Sequence, residues 1–413
     1  MLQTKFYKIN STDDVELGIK RSSKLEFKVV FEDTKSAKAL FAFIPGCGMD
    51  ALNDDYVQHI GEFVARSYDA AVLLVNYHCI QNRPWLGAKT CLDELDLAVL
   101  THTCASLNIA LPATLTPKAN EIIELSALQE LVNFVNNELQ RLKDEKKLQP
   151  KTQLIFTQTF CPTKNEYQNF GVMQALDILN ALCFMKKSGE FKLAKDCKSL
   201  LLGSSHGGYL GLLCAKFAPW LVDAVVENSS YVLTPGHYVG IGKQLDYEKY
   251  TEAHEPCGNI HIKYFTKSLW SIATSSPHFF SPAHNRIRNI LDVAHLQVAA
   301  RHFKPKIISY HGLHDTIIAP VKQKCELHEL LGALGFDNRL FVAKSEGDID
   351  GKFIKNLRHG MDMSLKMLIQ KELPPLLQAK FTRKKGESRE ICYESEDLSY
   401  HFKENLRGGE LTW

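Results

Sequence analysis

The chain has 413 residues, 45% of them hydrophobic, and a formal net charge of +2 at pH 7. That length and apolar content allow a large core, arranged as one big domain or two ordinary ones. Basic and acidic residues are mixed along the chain, so nucleic acid is not a favoured partner, and no apolar run reaches the roughly 18 residues that a membrane helix needs. The start, MLQTKFYKINSTDD, is polar and lacks the apolar core of a signal peptide. Eleven cysteines scatter from Cys47 to Cys392 with no CxxC pair. They read as small core residues in a reducing cytoplasm, not as a disulfide framework or a zinc site.

The N-terminal part alternates as strands do in DVELGIKRSS, KLEFKVVFED and KALFAFIPG. An amphipathic stretch, DDYVQHIGEFVARS, and the apolar run DAAVLLVNYH complete a strand–helix–strand unit, the building block of a parallel sheet covered by helices. From about 81 to 165 the rhythm breaks. NEIIELSALQELVNFVNNELQRLKDEKK reads as a long amphipathic helix packed on the surface, with a Lys-rich end that suits its C-terminus. Its heptads do not persist far enough for a partner-binding coiled coil. The α/β rhythm then resumes with helix GVMQALDILNALCFMKK, strand CKSLLLGSS, helix HGGYLGLLCAKFAP and strand LVDAVVENSS. Residues from about 235 to 300 are irregular and rich in His, Pro, Ser and aromatic residues. Strand PKIISYHGLHD, helix PVKQKCELHELLGALG, strand NRLFVAKSEGD and helix MDMSLKMLIQKEL follow, and the chain ends in a polar, Lys-rich stretch. This predicts one domain over residues 1–375, with an insertion at about 81–165, a cap at about 235–300, and a C-terminal extension over 376–413.

LLLGSSHGGYLG (200–211) leaves an apolar strand through a very small turn. A Gly-x-Ser-x-Gly turn lets a strand end abruptly and a helix begin, with the nucleophile at the tip in strained backbone geometry. Gly203 and Gly207 flank Ser205 at the required spacing. The same positions around Ser204 are Leu202 and His206, which are too bulky. Ser205 is therefore the candidate nucleophile. A serine needs a base, and the base needs an orienting acid, in the chain order Ser, acid, His. Asp315 lies in the loop that ends one strand, and His359 lies after the next. Ser205 and Asp315 are 110 residues apart, and Asp315 and His359 are 44 apart. The first gap leaves room for a strand and a cap, and the second fits a helix, a strand and a loop.

On these residues the sequence resembles the α/β-hydrolases, in the peptidase- and esterase-like branch whose acid sits in an HGxxDxxxxP-like segment, here His311, Gly312, Asp315 and Pro320. The resemblance spans about residues 25–372 and implies a mostly parallel central sheet flanked by helices. DDVELGIKRSSKLEF and FIPGCGMD resemble, more narrowly, an uncharacterised bacterial family of hydrolase-like proteins found near flagellin-glycosylation genes. The fold implies an oxyanion hole with two backbone donors: the amide of His206, directly after the nucleophile, and that of Cys47 or Gly48 in the loop IPGCGMDA.

Other readings compete at several positions. Glu227, at the end of LVDAVVE, is a rival acid one strand earlier. His206 as a side chain reads as packing or pocket lining, His314 as a loop residue, and Asp362 as a helix-start charge. Six histidines from His254 to His302 show no metal spacing. Cys47 has no base of its own. The expectation is a serine hydrolase of an ester or related acyl bond in a small polar molecule, such as an acylated sugar, with no cofactor and no metal. Its partner would be a small-molecule substrate, with neither nucleic acid nor membrane involved. An acyltransferase with the same triad, or a hydrolase-like binding protein without turnover, are the alternatives. Nothing in the sequence sets the oligomeric state.

Overall fold

Apolar runs such as AKALFAFI and AAVLLVN, buried along almost their whole length, have no solvated face and belong in the middle of a sheet covered on both sides. A computed structural model of the chain describes residues 1–316, 318–383, 386–404 and 411–412. It divides into two units, the first made of Met1–Ile80, Gly171–Pro235 and Phe280–Trp413. The sheet of this unit contains β1 (Leu2–Ile9), β2 (Leu25–Glu32), β3 (Ala37–Ile44), β4 (Ala70–Asn76), β5 (Leu193–Ser204), β6 (Ala224–Asn228), β7 (Lys306–Gly312) and β8 (Asn338–Ala343). Their spatial order is β1-β2-β4-β3-β5-β6-β7-β8. β2 runs antiparallel to β1 and β4, and every other neighbouring pair is parallel. Helices α1 (Val172–Lys187), α2 (His206–Phe217), α3 (Val321–Ala333) and α4 (Leu365–Gln378) connect and flank these strands. This strand order, with a strand–turn–helix at β5–α2, is the α/β-hydrolase fold.

Burial explains the helices. All twelve residues of α2 are buried, so its sequence is mostly apolar, and the buried Lys216 ammonium donates to the Ile287 and Asn289 carbonyls. Gly211 lets it settle on the sheet: a Cβ there would lie 3.1 Å from Val225 Cγ1. One core cluster joins Val30, Phe41, Val72, Leu202, Val226 and Ile308 of the sheet to Val64, Met361, Leu368 and Leu373. The N-terminal expectation needs revision. Residues 14–23 make a turn, with the Asp14 carboxylate accepting from the Leu17 N–H and Gly18 at φ +64°. The edge strand β1 is formed by the preceding, more polar LQTKFYKI. The C-terminal stretch contributes strands Glu390–Ser395, Leu398–Glu404 and Leu411–Thr412 in an antiparallel sheet. Phe402 of this sheet stacks on Phe217 at 4.1 Å between ring centroids.

The second unit comprises Gln81–Phe170 and Gly236–Phe279. Its sheet has the order Ala253–Cys257, Ile260–Thr266, Leu154–Cys161, Lys89–Cys91, Ile122–Ile123. The long helix read from the sequence is Leu125–Asp144. It packs Leu128, Leu131, Val135 and Leu139 with Leu100, Phe156 and Ile260 in a core of the unit's own. Lys243 Nζ donates to Asp93, Asp96 and Thr159 inside this unit. Among the described residues, no helix is long and apolar enough to cross a membrane.

A buried ion pair ties distant parts of the first unit together. Arg288 donates to both carboxylate oxygens of Glu16. The Tyr400 hydroxyl donates to the same carboxylate, and the Tyr209 hydroxyl donates to the Arg288 carbonyl. The N-terminal segment, the helix Pro282–Arg288, α2 and the C-terminal sheet thus meet at one charge pair. Removing one member strands the other charge, at a cost of about 3–5 kcal/mol, whereas removing both with apolar residues of similar volume costs far less. Glu16→Leu is therefore expected to lower the urea midpoint strongly, and Glu16→Leu with Arg288→Met to recover much of the loss. Urea unfolding curves of the three proteins check this.

Candidate active site

β5 ends at Ser204, which lies opposite Asn228 of β6. Ser205 follows at φ 53° and ψ −120°, and α2 starts at His206. A non-glycine residue in such a region costs on the order of 1–3 kcal/mol and persists only where its surroundings enforce it. The surroundings here are backbone. A Cβ on Gly207 would lie 2.0 Å from the Ile44 carbonyl oxygen and 2.5 Å from that of Pro45. A Cβ on Gly203 would lie 2.3 Å from the Gly207 carbonyl. Neither neighbour is a side chain that can swing away, so glycine is required at both positions. The Ser205 N–H donates to the Asn228 carbonyl at 2.7 Å and fixes the tip of the turn to β6.

The elbow meets a histidine and an acid. His359 Nε2 lies 2.8 Å from Ser205 Oγ, and its Nδ1 lies 2.6 Å from Asp315 Oδ2. The carboxylate can only accept, so Nδ1 carries the proton and Nε2 is left to accept from the serine hydroxyl. Asp315 follows β7 and is 2% exposed. Its other oxygen accepts from the Ala319 N–H at 3.0 Å. Gly312 makes room for the histidine loop: a Cβ there would lie 2.3 Å from the Leu357 carbonyl. The His314 N–H donates to that carbonyl, and the His314 side chain is exposed. The loop is pinned from β6 as well. Asn228 Nδ2 donates to the Gly360 carbonyl, and the Gly360 N–H donates to Ser229 Oγ, both at 3.0 Å. Asp362 does not sit at the start of a helix. It accepts from Asn356 Nδ2, and Ser364 is the N-cap of α4.

Glu227 is engaged elsewhere. It is fully buried at the end of β6. One oxygen pairs with Lys324 Nζ at 2.8 Å, and the other accepts from the Ser230 N–H. Burial pushes its carboxyl up, but the Lys324 ammonium outweighs this and holds it below the usual carboxylate range. His311 donates to the Ala319 carbonyl and lies 3.6 Å from Asp315 Oδ2. Burial pulls its pKa below the ordinary histidine value.

The loop after β3 passes beside the elbow. A Cβ on Gly46 would lie 3.5 Å from the Ser204 carbonyl and 3.7 Å from Ser205 Cβ. Cys47 is exposed, and Gly48, at φ +75°, is buried. Across the turn, His206 begins α2 with Gly207 and Gly208 as its next residues. Each glycine costs a helix about 1 kcal/mol relative to alanine. The His206 ring points away from His359's role: Nε2 lies 2.8 Å from Gln174 Oε1, and Nδ1 meets the Tyr231 hydroxyl. Burial pulls its pKa down to about 3. Gln174, Asn228, Ser229 and Tyr231 were not singled out from the sequence. The polar run ENSSY, closing an apolar strand, was the available signal for the last three.

No curated protein matches the sequence. Among solved structures the chain is similar to an acylaminoacyl peptidase of Pyrococcus horikoshii, at 11% identity and a TM-score of 0.45, over 93% of this chain and 42% of that one. The chain thus spans less than half the length of that peptidase. It is also similar to a peroxisomal α/β-hydrolase of Saccharomyces cerevisiae (12% identity, TM-score 0.44, 94% and 92% covered). A third is the S-formylglutathione hydrolase of Agrobacterium tumefaciens (10% identity, TM-score 0.44, 91% and 94% covered). A family model matches residues 5–411, and the chain belongs to that family, described as "Protein of unknown function (DUF2920)".

Proposed function

We propose that the protein is a serine hydrolase that cleaves an ester or related acyl bond of a small polar molecule, such as an acylated sugar. The observation that carries this reading is the hydrogen-bonded series Asp315–His359–Ser205, ending on a strained turn that glycines on both sides enforce. Ser205 Oγ attacks the acyl carbon while His359 Nε2 takes its proton. The imidazolium then protonates the leaving group, and an acyl-enzyme remains on Ser205. Water, deprotonated by His359, releases the acid and restores the serine. Asp315 keeps the imidazole in the tautomer that can accept and stabilises the cation that forms. The amides of His206 and of Cys47 or Gly48 hold the negative charge on the tetrahedral oxygen, a term worth about 3–4 kcal/mol per donor in related chemistry.

The two adjacent serines separate under mutation. Ser205→Ala is expected to lower turnover of a short p-nitrophenyl ester by about 10³-fold or more, because the three residues act as a unit. Ser204→Ala is expected to retain most of it. Equal losses in two folded proteins would remove Ser205 from the nucleophile's role.

The two buried carboxylates differ in kind. Asp315→Asn is expected to cut kcat by about 10³- to 10⁴-fold with little change in the thermal midpoint, since it disturbs the imidazole tautomer. Glu227→Gln leaves the Lys324 ammonium buried without a full counter-charge, so its main effect is a lower thermal midpoint. Turnover and melting measured on both proteins test the assignment; a larger kcat loss in Glu227→Gln would move the acid to β6.

A fluorophosphonate probe decides between an enzyme and a binding protein of the same fold. The base and oxyanion donors that drive acyl transfer also drive attack on phosphorus. One label per chain is expected, on Ser205, and none in His359→Ala. Intact-mass and peptide mass spectrometry read the result. Folded wild-type protein that takes no label from a small probe and turns over no short acyl ester would favour the non-catalytic reading.

A further inference from the structure

Ser205 is the N-cap residue of α2, yet its side chain makes no cap hydrogen bond. An N-cap serine ordinarily accepts from an N–H of the first turn and so holds that turn in place. Here the hydroxyl faces His359 Nε2 instead. The first turn is also His-Gly-Gly, a poor helix start by composition. The Ser205 N–H bond to the Asn228 carbonyl and the Tyr209 N–H bond to the Ser205 carbonyl hold the backbone on either side of His206, and the His206 side chain adds an anchor of its own.

We propose that the His206 side chain is a positioning residue that anchors the first turn of α2, and with it the His206 amide, through an imidazole fixed between Gln174 and Tyr231. This rests on the hydrolase reading above and goes beyond it by assigning work to a side chain and two partners outside the triad. The ring is 4% exposed and both nitrogens are engaged. Gln174 Oε1 also accepts from the Gly171 N–H at 2.9 Å, and its Nε2 donates to the His78 carbonyl at 3.1 Å. With the amide oxygen facing the ring, His206 Nε2 must carry the proton, and Nδ1 accepts from the Tyr231 hydroxyl. The imidazole therefore has one tautomer and one orientation. Its anchors are independent of α2: Gln174 lies in α1, His78 follows β4, and Tyr231 follows β6. The rings of Tyr77, Tyr209 and Tyr231 surround it at 5.9–6.0 Å between centroids. Three elements thus converge on the residue whose backbone begins the helix.

The experiment compares wild type with Tyr231→Phe, which deletes one hydroxyl, and His206→Gln, which keeps an acceptor and a donor on a flexible stem. Active sites are first counted with the fluorophosphonate probe. Then kcat and KM for a short p-nitrophenyl ester are measured per titrated site, together with inhibition by an alkyl trifluoromethyl ketone, which forms a tetrahedral oxyanion on the serine. The expected result is a fall in kcat of about 10- to 100-fold, part of the 10²- to 10³-fold effect of losing an oxyanion donor. KM is expected to stay within about twofold, and ketone inhibition to weaken by a factor that follows kcat. Tyr231→Phe carries the test if His206→Gln does not fold. Fewer titratable sites with unchanged turnover and inhibition per site would mean a structural role only and would overturn the proposal. If Ser205→Ala keeps full turnover, the hydrolase reading fails; if Ser205→Ala is inactive and both other variants match wild type, this inference alone fails.

Discussion

The site depends on one crossing of backbones. The carbonyls that end β3 lie so close to the first turn of α2 that a single added carbon on Gly207 would sit 2.0 Å from one of them. Side chains cannot adapt to a clash of that kind, because both parties are main chain. Once the helix is seated there, the turn between β5 and α2 has no slack, and Ser205 must take its positive φ. The strain is local, and the surrounding sheet, held by strand pairing on both sides of β5, keeps it in place. The same crossing brings Gly46, in the loop after β3, alongside Ser205.

The second organising feature is the end of β6. Asn228 accepts the Ser205 N–H with its carbonyl, donates from its side chain to Gly360, and receives the Ser229 hydroxyl on its amide oxygen. Ser229 in turn accepts the Gly360 N–H. Two consecutive residues therefore hold the tip of the nucleophile turn and the residue beside His359. Bonds of this kind fix the turn and the loop in advance of any reaction, which is what preorganisation requires.

Much of this was legible in the sequence, and the reasons are local. GSSHG carries its own geometric logic, since only one of the two serines has glycines at both flanks. β3, β4 and β7 are apolar runs bounded by turn residues, so their type and place follow from pattern alone. Other parts were not legible. LIFTQTFC forms a central strand of the second unit, but its Thr157, Gln158 and Thr159 are buried polar residues, and its parallel partner Ile260–Thr266 lies about a hundred residues on. Alternation of polar and apolar residues reports a half-solvated strand, and a buried strand with polar side chains defeats it. β1 was missed for the opposite reason: an edge strand with mostly exposed side chains has little apolar signal. Gln174 and Tyr231 act through tertiary contacts, and no spacing rule connects residues 174, 206 and 231.

Glu227 and Asp315 show why motif spacing alone left two acids open. They close neighbouring strands, β6 and β7, and both are almost wholly buried. Their partners separate them. Glu227 faces a buried ammonium that neutralises it and occupies one of its oxygens, so it has little left to offer a second cation. Asp315 accepts from the Ala319 amide and meets the His359 imidazole, with His311 Nε2 3.6 Å from its Oδ2. A carboxylate hydrogen-bonded to an imidazole stabilises the positive charge that would form if His359 took the Ser205 proton. Lys324, on α3, gives Glu227 an ion-pair partner at 2.8 Å, and no triad spacing includes it.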